Sequence, residues 1–137
     1  MAKAISPQEA LIYVMVTMSA VDRTMGDDEL QRIGQIVSQL PIFTKYHDDG
    51  LIVTAQACGQ ILSKDKGLDA MLDVIASALP PSLSETAYAL AVEIAATDLK
   101  VAPEETRFLE LLADKLNISR LVTAAIERGA KARHRVG

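Results

Sequence analysis

Two stretches of this 137-residue chain, residues 10–21 and 87–96, are almost wholly apolar and rich in Ala, Leu, Val and Met. These residues favour helix, and a helix that is apolar on every side must be buried on most sides. The longer stretch is stopped by Asp22 before it could cross a bilayer. Only five residues are aromatic, none of them Trp, and alternating strand patterns are missing. The chain is therefore predicted to be all-α.

Capping and breaking residues divide the chain into about seven helices. Ser6 to Glu9 has the form of a capping box with Pro7 at the first helical position, and Ser82 to Glu85 offers a second box. Pro41 and Pro80 end helices. The predicted helices begin at or just after Pro7, Asp27, Gly50, Leu68, Ser84, Pro103 and Ser119. No low-complexity linker separates them, so residues 1–137 are predicted to form one domain, a globular helical bundle.

The second and sixth helices are amphipathic. Their apolar residues follow the three-then-four spacing of a surface helix whose inner stripe faces the core. The predicted inward residues are Leu30, Ile33, Ile36, Val37 and Leu40 in one helix and Phe108, Leu109, Leu112 and Leu116 in the other.

Charge is distributed unevenly along the chain, which has a net charge of −4. Residues 1–119 are strongly acidic, whereas residues 120–137 carry five Lys or Arg against Glu127 alone. An acidic body argues against nucleic-acid binding, which needs cations over a broad face. The basic end complements the dipole at a helix C-terminus, with an acidic partner or a membrane surface as alternatives.

A single cysteine and the absence of targeting features favour the cytoplasm. Cys58 lies in an apolar stretch, excludes an intrachain disulfide and is expected to be a small buried hydrophobic residue. Residues 1–6 lack the layout of a signal peptide, and no transmembrane segment is predicted. A cytoplasmic location is therefore expected.

An internal repeat appears when the sequence is shifted by 76 residues. Asp22 then matches Asp98, and Glu29 matches Glu105, at equal distances after the two apolar helices. Each half is thus a buried helix, a short loop that begins with Asp, and an amphipathic helix with acids in its first turn. We predict two pseudo-symmetric helical hairpins, at approximately residues 7–40 and 84–116.

The repeated segments, residues 17–40 and 93–116, resemble the tellurite-resistance TerB-like proteins. That family carries an Ala-x-Ala-Asp-Gly-x-ϕ-x-x-x-Glu motif (ϕ apolar) in the same helix–loop–helix context, often twice per domain. Arg23 and Leu99 stand where the family usually has Gly. The resemblance implies a helical module linked to tellurite or general stress response, with metal or partner binding through an acidic surface.

The repeated acids are the candidate site. If the hairpins pack face to face, Asp22, Glu29, Asp98 and Glu105 converge, and a divalent cation such as Ca²⁺ or Mg²⁺ would relieve their mutual repulsion. The loops are not EF-hands, because their twelfth positions are apolar. The alternative is local: Asp caps turns, and acids in a first helical turn favour the positive end of the helix dipole.

Glu93 is a weaker candidate for the same site. It lies inside an apolar helix, where an unpaired carboxylate costs several kcal/mol, so it needs a partner or a wet edge. We expect a hydrogen bond or ion pair there, with participation in the acidic site as the alternative.

Catalytic and cofactor signatures are missing. There is no Glu-x-x-His pair, no nucleophile motif and no phosphate-binding glycine loop, and the last helix, which carries His134, is expected to fray. We therefore expect no enzyme activity and no cofactor other than the candidate cation. The alternative to a cation site is a protein-interaction scaffold or homodimer that uses exposed parts of the helices.

Overall fold

The computed structural model describes residues 5–21, 26–44, 46, 50–96 and 102–137, and within them every regular element is helical. The α-helices are α1 (Pro7–Ala20), α2 (Asp27–Gln39), α3 (Leu51–Leu62), α4 (Gly67–Ala78), α5 (Ser84–Ala96), α6 (Pro103–Lys115) and α7 (Arg120–Arg133). Short 3₁₀ turns occupy Pro41–Phe43 and Pro81–Leu83. The all-α class and the seven helices are as predicted.

Side-chain caps explain where two of the helices begin. The Ser6 hydroxyl accepts a hydrogen bond from the Glu9 N–H at 3.1 Å, and the Glu9 carboxylate accepts one from the Ser6 N–H at 2.9 Å. Ser119 caps α7 in the same way, accepting from the Val122 N–H at 3.3 Å. The box proposed at Ser82 is wrong, because Ser82 lies inside a 3₁₀ turn and the chain passes from that turn directly into α5.

The core is built around α1 and α5, which pack against each other. α1 is buried continuously from Ala10 to Ser19, as its lack of a polar face predicts. It also contacts α2, α3 and α4, so that its sides are covered by helices from most of the chain. α5 in turn contacts α6 and α7. The two apolar stretches of the sequence are thus the centre of the packing.

α2 and α6 cover this centre with their apolar stripes. Ile33 and Val37 of α2 are buried, as are Phe108 and Leu112 of α6, each pair one turn apart. The other predicted inward residues pack half-buried at the edge of the core: Leu30, Ile36, Leu40, Leu109 and Leu116.

In each half, the buried helix packs against the two helices that follow it in the chain: α1 against α2 and α3, and α5 against α6 and α7. The pseudo-symmetry of the two hairpins stays a prediction, as does the assignment of residues 1–137 to one domain. No helix in the described part of the chain is long and apolar enough to span a membrane.

Candidate functional site

Glu29 and Glu105 occupy the same position, the third residue, of α2 and α6. Glu29 accepts a hydrogen bond from the Gly26 N–H at 3.1 Å, and Glu105 accepts one from the Ala102 N–H at 2.9 Å. Glu105 is only 2% exposed, whereas Glu29 is half-buried. Both glutamates therefore interact with the N-terminal end of their own helix, as predicted for acids in a first helical turn.

The other two candidate acids, Asp22 and Asp98, lie outside the described residues. Convergence of all four carboxylates therefore stays a prediction. Among the described residues there is no group of three or more His, Cys, Asp or Glu arranged to hold a metal ion.

Within the described residues, Glu93 of α5 contacts three basic side chains. Its Oε2 accepts a hydrogen bond from Arg133 Nη2 at 2.6 Å, and its Oε1 lies 2.8 Å from His134 Nε2. On the other side, Arg32 Nη2 of α2 lies 3.7 Å from Oε1. The expected structural ion pair is thus present, and it joins α5 to α7 and to α2.

The charge state of Glu93 follows from these contacts. Burial by itself would raise the pKa of the carboxyl group, but the hydrogen bonds and charges of Arg133 and His134 outweigh it and hold the pKa below its usual value. Glu93 is therefore an ionised acceptor, and His134 Nε2 is the donor.

His134 was wrongly expected to lie in a fraying tail. Its backbone N–H bonds to the Ala130 carbonyl at 3.1 Å and closes the last turn of α7. The need of Glu93 for a cation and the basic composition of residues 120–137 together indicate the last helix as a source of partners, without identifying the residues.

Thr17 is the residue that the 76-residue offset pairs with Glu93, and it also binds a neighbouring helix. Its hydroxyl lies 3.6 Å from Cys58 Sγ of α3, and this sulfur is 3.7 Å from the Tyr13 carbonyl oxygen. Burial raises the pKa of the Cys58 thiol to about 11, although the hydrogen bond from Thr17 acts in the opposite direction. Cys58 is thus a buried structural thiol, as predicted.

A cleft of about 580 Å³, which the sequence analysis missed, lies between α5, α6 and α7. It opens because α5 packs against both other helices, whereas α6 and α7 make few contacts with each other. Apolar residues of α5 form the floor: Val92, Ala95 and Ala96. The walls carry Glu110 and Asp114 on α6 and Arg120, Glu127 and Lys131 on α7. We call this the α5–α6–α7 cleft.

Tyr88 stands in the α5–α6–α7 cleft with its ring buried and its hydroxyl donating to Glu127 Oε2 at 2.7 Å. Burial raises the pKa of Tyr88, and the hydrogen bond to Glu127 and the negative charges of Glu127 and Glu110 raise it further. The phenol is therefore protonated at physiological pH and acts as a hydrogen-bond donor.

In comparisons with known proteins, the chain matches the model of one protein family. The family model described as tellurite resistance protein TerB matches residues 8–128, a span that runs from the start of α1 into the second half of α7. No curated protein and no solved structure gives a significant match.

Proposed function

The chain belongs to the TerB family, and on this premise we propose that it is a non-catalytic helical module that binds a divalent cation in a tellurite or general stress response. The proposed ligands are Asp22, Glu29, Asp98 and Glu105. The observation that carries the proposal is the placement of Glu29 and Glu105 at equivalent positions of α2 and α6, each seven residues after one of the aspartates in the sequence.

A contact between Arg32 and Glu93 links α2 to α5, the helices that carry or precede the proposed ligands. Arg32 lies one turn after Glu29 on α2, and residues three apart share a helix face. Glu93 lies in the last turns of α5, five residues before Asp98. The 3.7 Å contact therefore links the middle of α2 to the last turns of α5 through the Arg32 side chain.

Capping and cation binding by the same glutamate are compatible. An ionised carboxylate has two oxygens and about four acceptor sites, so a carboxylate can both accept a hydrogen bond and ligate a cation. Ca²⁺ and Mg²⁺ both prefer oxygen ligands, and of the two Ca²⁺ tolerates more variable geometry.

The test is the melting temperature with added Ca²⁺, Mg²⁺ or Mn²⁺, since a ligand that binds only the native state raises it. Glu29→Gln with Glu105→Gln is the most informative variant, because Gln can keep the capping geometry while the charge is removed. Asp22→Asn with Asp98→Asn tests the loop positions. Asp69→Asn, an exposed acid in the first turn of α4, is the matched control.

We expect the cations to raise the melting temperature of the natural chain and of the Asp69 variant, but not of the two double variants. A melting temperature that does not change with millimolar cation would exclude the cation site. The family assignment would be unaffected.

A protein-interaction scaffold or homodimer is the second candidate, and one observation favours it. Ile52 and Val53, adjacent residues on α3, are 57% and 66% exposed. Exposed β-branched pairs of this kind occur at interfaces. Sedimentation of the natural chain and of an Ile52→Ser, Val53→Ser variant tests it: a concentration-dependent dimer that the variant loses is expected, and a monomer at all concentrations contradicts it.

We also propose a cytoplasmic location. Cys58 is a free, buried thiol, which is typical of proteins in a reducing compartment.

A further inference from the structure

The α5–α6–α7 cleft has the dimensions and lining of a ligand site. Clefts that bind small molecules typically enclose about 300–1,000 Å³ and combine an apolar lining with a few convergent polar groups. Here about 580 Å³ is bounded below by Val92, Ala95 and Ala96, and Tyr88 and Glu127 meet at its side. The small alanine side chains leave depth above α5.

The charged residues that the structure describes on the two walls of the cleft do not form ion pairs with each other. In the described part of the chain no ion pair joins α6 to α7 across the cleft. Glu110 lies 3.9 Å from Arg107 of its own helix, but both side chains are more than 60% exposed, and such a pair contributes little energy. A ligand can therefore compete for the Glu110 carboxylate.

Acidic residues outnumber basic ones in the lining of the cleft, with Glu110, Asp114 and Glu127 against Arg120 and Lys131. The negative charges of Glu127 and Glu110 also raise the pKa of Tyr88, which stands between the walls. Glu127 also holds one carboxylate oxygen in place through the bond from Tyr88. The cleft thus combines an apolar floor with an exposed acidic residue on each wall, Glu110 on α6 and Glu127 on α7.

The first half of the chain has a different residue at the position that corresponds to Glu110. The 76-residue offset pairs Glu110 with Gly34 of α2, and a Cβ on Gly34 would lie 3.5 Å from Leu51 Cδ2 of α3. α2 thus has no side chain at this position and little room for one beside Leu51, whereas α6 carries a carboxylate beside an open cleft.

We propose that the α5–α6–α7 cleft binds a small organic cation with an apolar body, of the alkylammonium class. The alkyl part lies on Val92 and Ala95, and the ammonium group lies between Glu110 and Glu127. This site is distinct from the proposed cation site at the acidic loops and does not depend on it.

The test compares n-octylammonium with octanoate by isothermal titration calorimetry on the full chain. The two probes share their apolar length and differ in charge, so their affinities separate charge recognition from simple apolar binding. The carboxylates on the two walls attract an ammonium group and repel a carboxylate, so octylammonium should bind at least about tenfold more tightly than octanoate.

Three variants locate the binding. Glu110→Gln with Glu127→Gln should reduce the affinity for octylammonium to that for octanoate, while the amide oxygen introduced at position 127 can still accept from Tyr88. Ala113→Phe, which projects a ring from the α6 wall, should abolish binding of both probes. Glu104→Gln, an exposed residue of α6 outside the cleft, is the control and should bind like the natural chain.

Equal affinity for the two probes, or no measurable binding of octylammonium, would overturn the proposal, and neither result depends on a variant. Unchanged octylammonium binding in the Glu110, Glu127 variant would also overturn it. Melting curves of each variant establish that the native fold is present during the titration.

Discussion

Glu93 and His134 are 41 residues apart in sequence, yet the carboxylate of one and the imidazole of the other are 2.8 Å apart. Together with Arg133, this contact attaches the end of α7 to the middle of the molecule. A single carboxylate in an otherwise apolar stretch therefore determines where the C-terminal helix is anchored.

Replacing Glu93 with Gln should lower the free energy of unfolding at pH 7 by about 1–3 kcal/mol, the range for losing charge-assisted hydrogen bonds. Urea unfolding measures the change. Glu85→Gln, near the start of the same helix and away from these contacts, should leave stability within about 0.5 kcal/mol. A Glu93 variant as stable as the Glu85 variant would contradict the anchoring function.

The contribution of Glu93 should also depend on pH. Its pKa is lower in the folded chain than the ordinary value of 4.5, so the native state binds this proton less readily than the unfolded state. The stabilisation is therefore complete above the unfolded pKa and is lost as the pH falls through the folded pKa. Urea unfolding of the natural and Glu93→Gln chains should differ at pH 7. The difference should shrink as the pH falls below 4.5 and disappear once the carboxyl group is protonated in the folded chain.

Two glycines should respond oppositely to alanine. A Cβ at Gly67 would lie 2.4 Å from the Leu62 carbonyl oxygen and 2.6 Å from that of Ile61, so Gly67→Ala should destabilise the chain. Gly59 is exposed within α3 and a Cβ there would meet nothing within 4 Å, so Gly59→Ala should add about 0.5–1 kcal/mol. Thermal unfolding of the two variants checks this, and a change of the same sign in both would contradict it.

The same truncation should have different costs at two leucines. Leu112 is fully buried in α6, so Leu112→Ala should cost about 2–5 kcal/mol through lost burial and a cavity. Leu121 of α7 is 82% exposed, so Leu121→Ala should change stability by no more than about 0.5 kcal/mol. Chemical denaturation of both variants measures the difference. Similar costs at the two sites would mean that α7 packs against something through Leu121.

Cys58 should be unreactive until the chain unfolds. Its side chain is fully buried and its pKa is raised to about 11, so the thiolate that attacks disulfide reagents is scarce at pH about 8. Labelling with a chromogenic disulfide should be slow in buffer and fast in denaturant. Rapid labelling of the native chain would show that α3 moves away from α1.

Helix caps could be predicted from the sequence where they depend only on residues close together in the chain. The Ser6 and Ser119 caps are correct because each needs only a hydroxyl and a backbone N–H three residues later. Ser82 has the same local pattern, but two prolines before it favour a 3₁₀ turn, which carries the chain into α5 without that cap.

For contacts between distant segments, the sequence predicted that a residue needs a partner but not which residue the partner is. The buried position of Glu93 required a partner, but nothing in its surroundings identified His134 or Arg32. The α5–α6–α7 cleft was missed because it results from the way α6 and α7 diverge over α5, and each helix alone shows an ordinary amphipathic pattern.

The burial of α1 on nearly all sides has a consequence for biosynthesis. α1 is translated before the other helices, but its main contacts include α5, which leaves the ribosome only after α2, α3 and α4. Until then α1 lacks the cover that α5 provides, and its remaining apolar surface is open to chaperones and to aggregation. Either hairpin expressed as a separate fragment should therefore be insoluble, and the chain acquires its native packing late, when the second half docks.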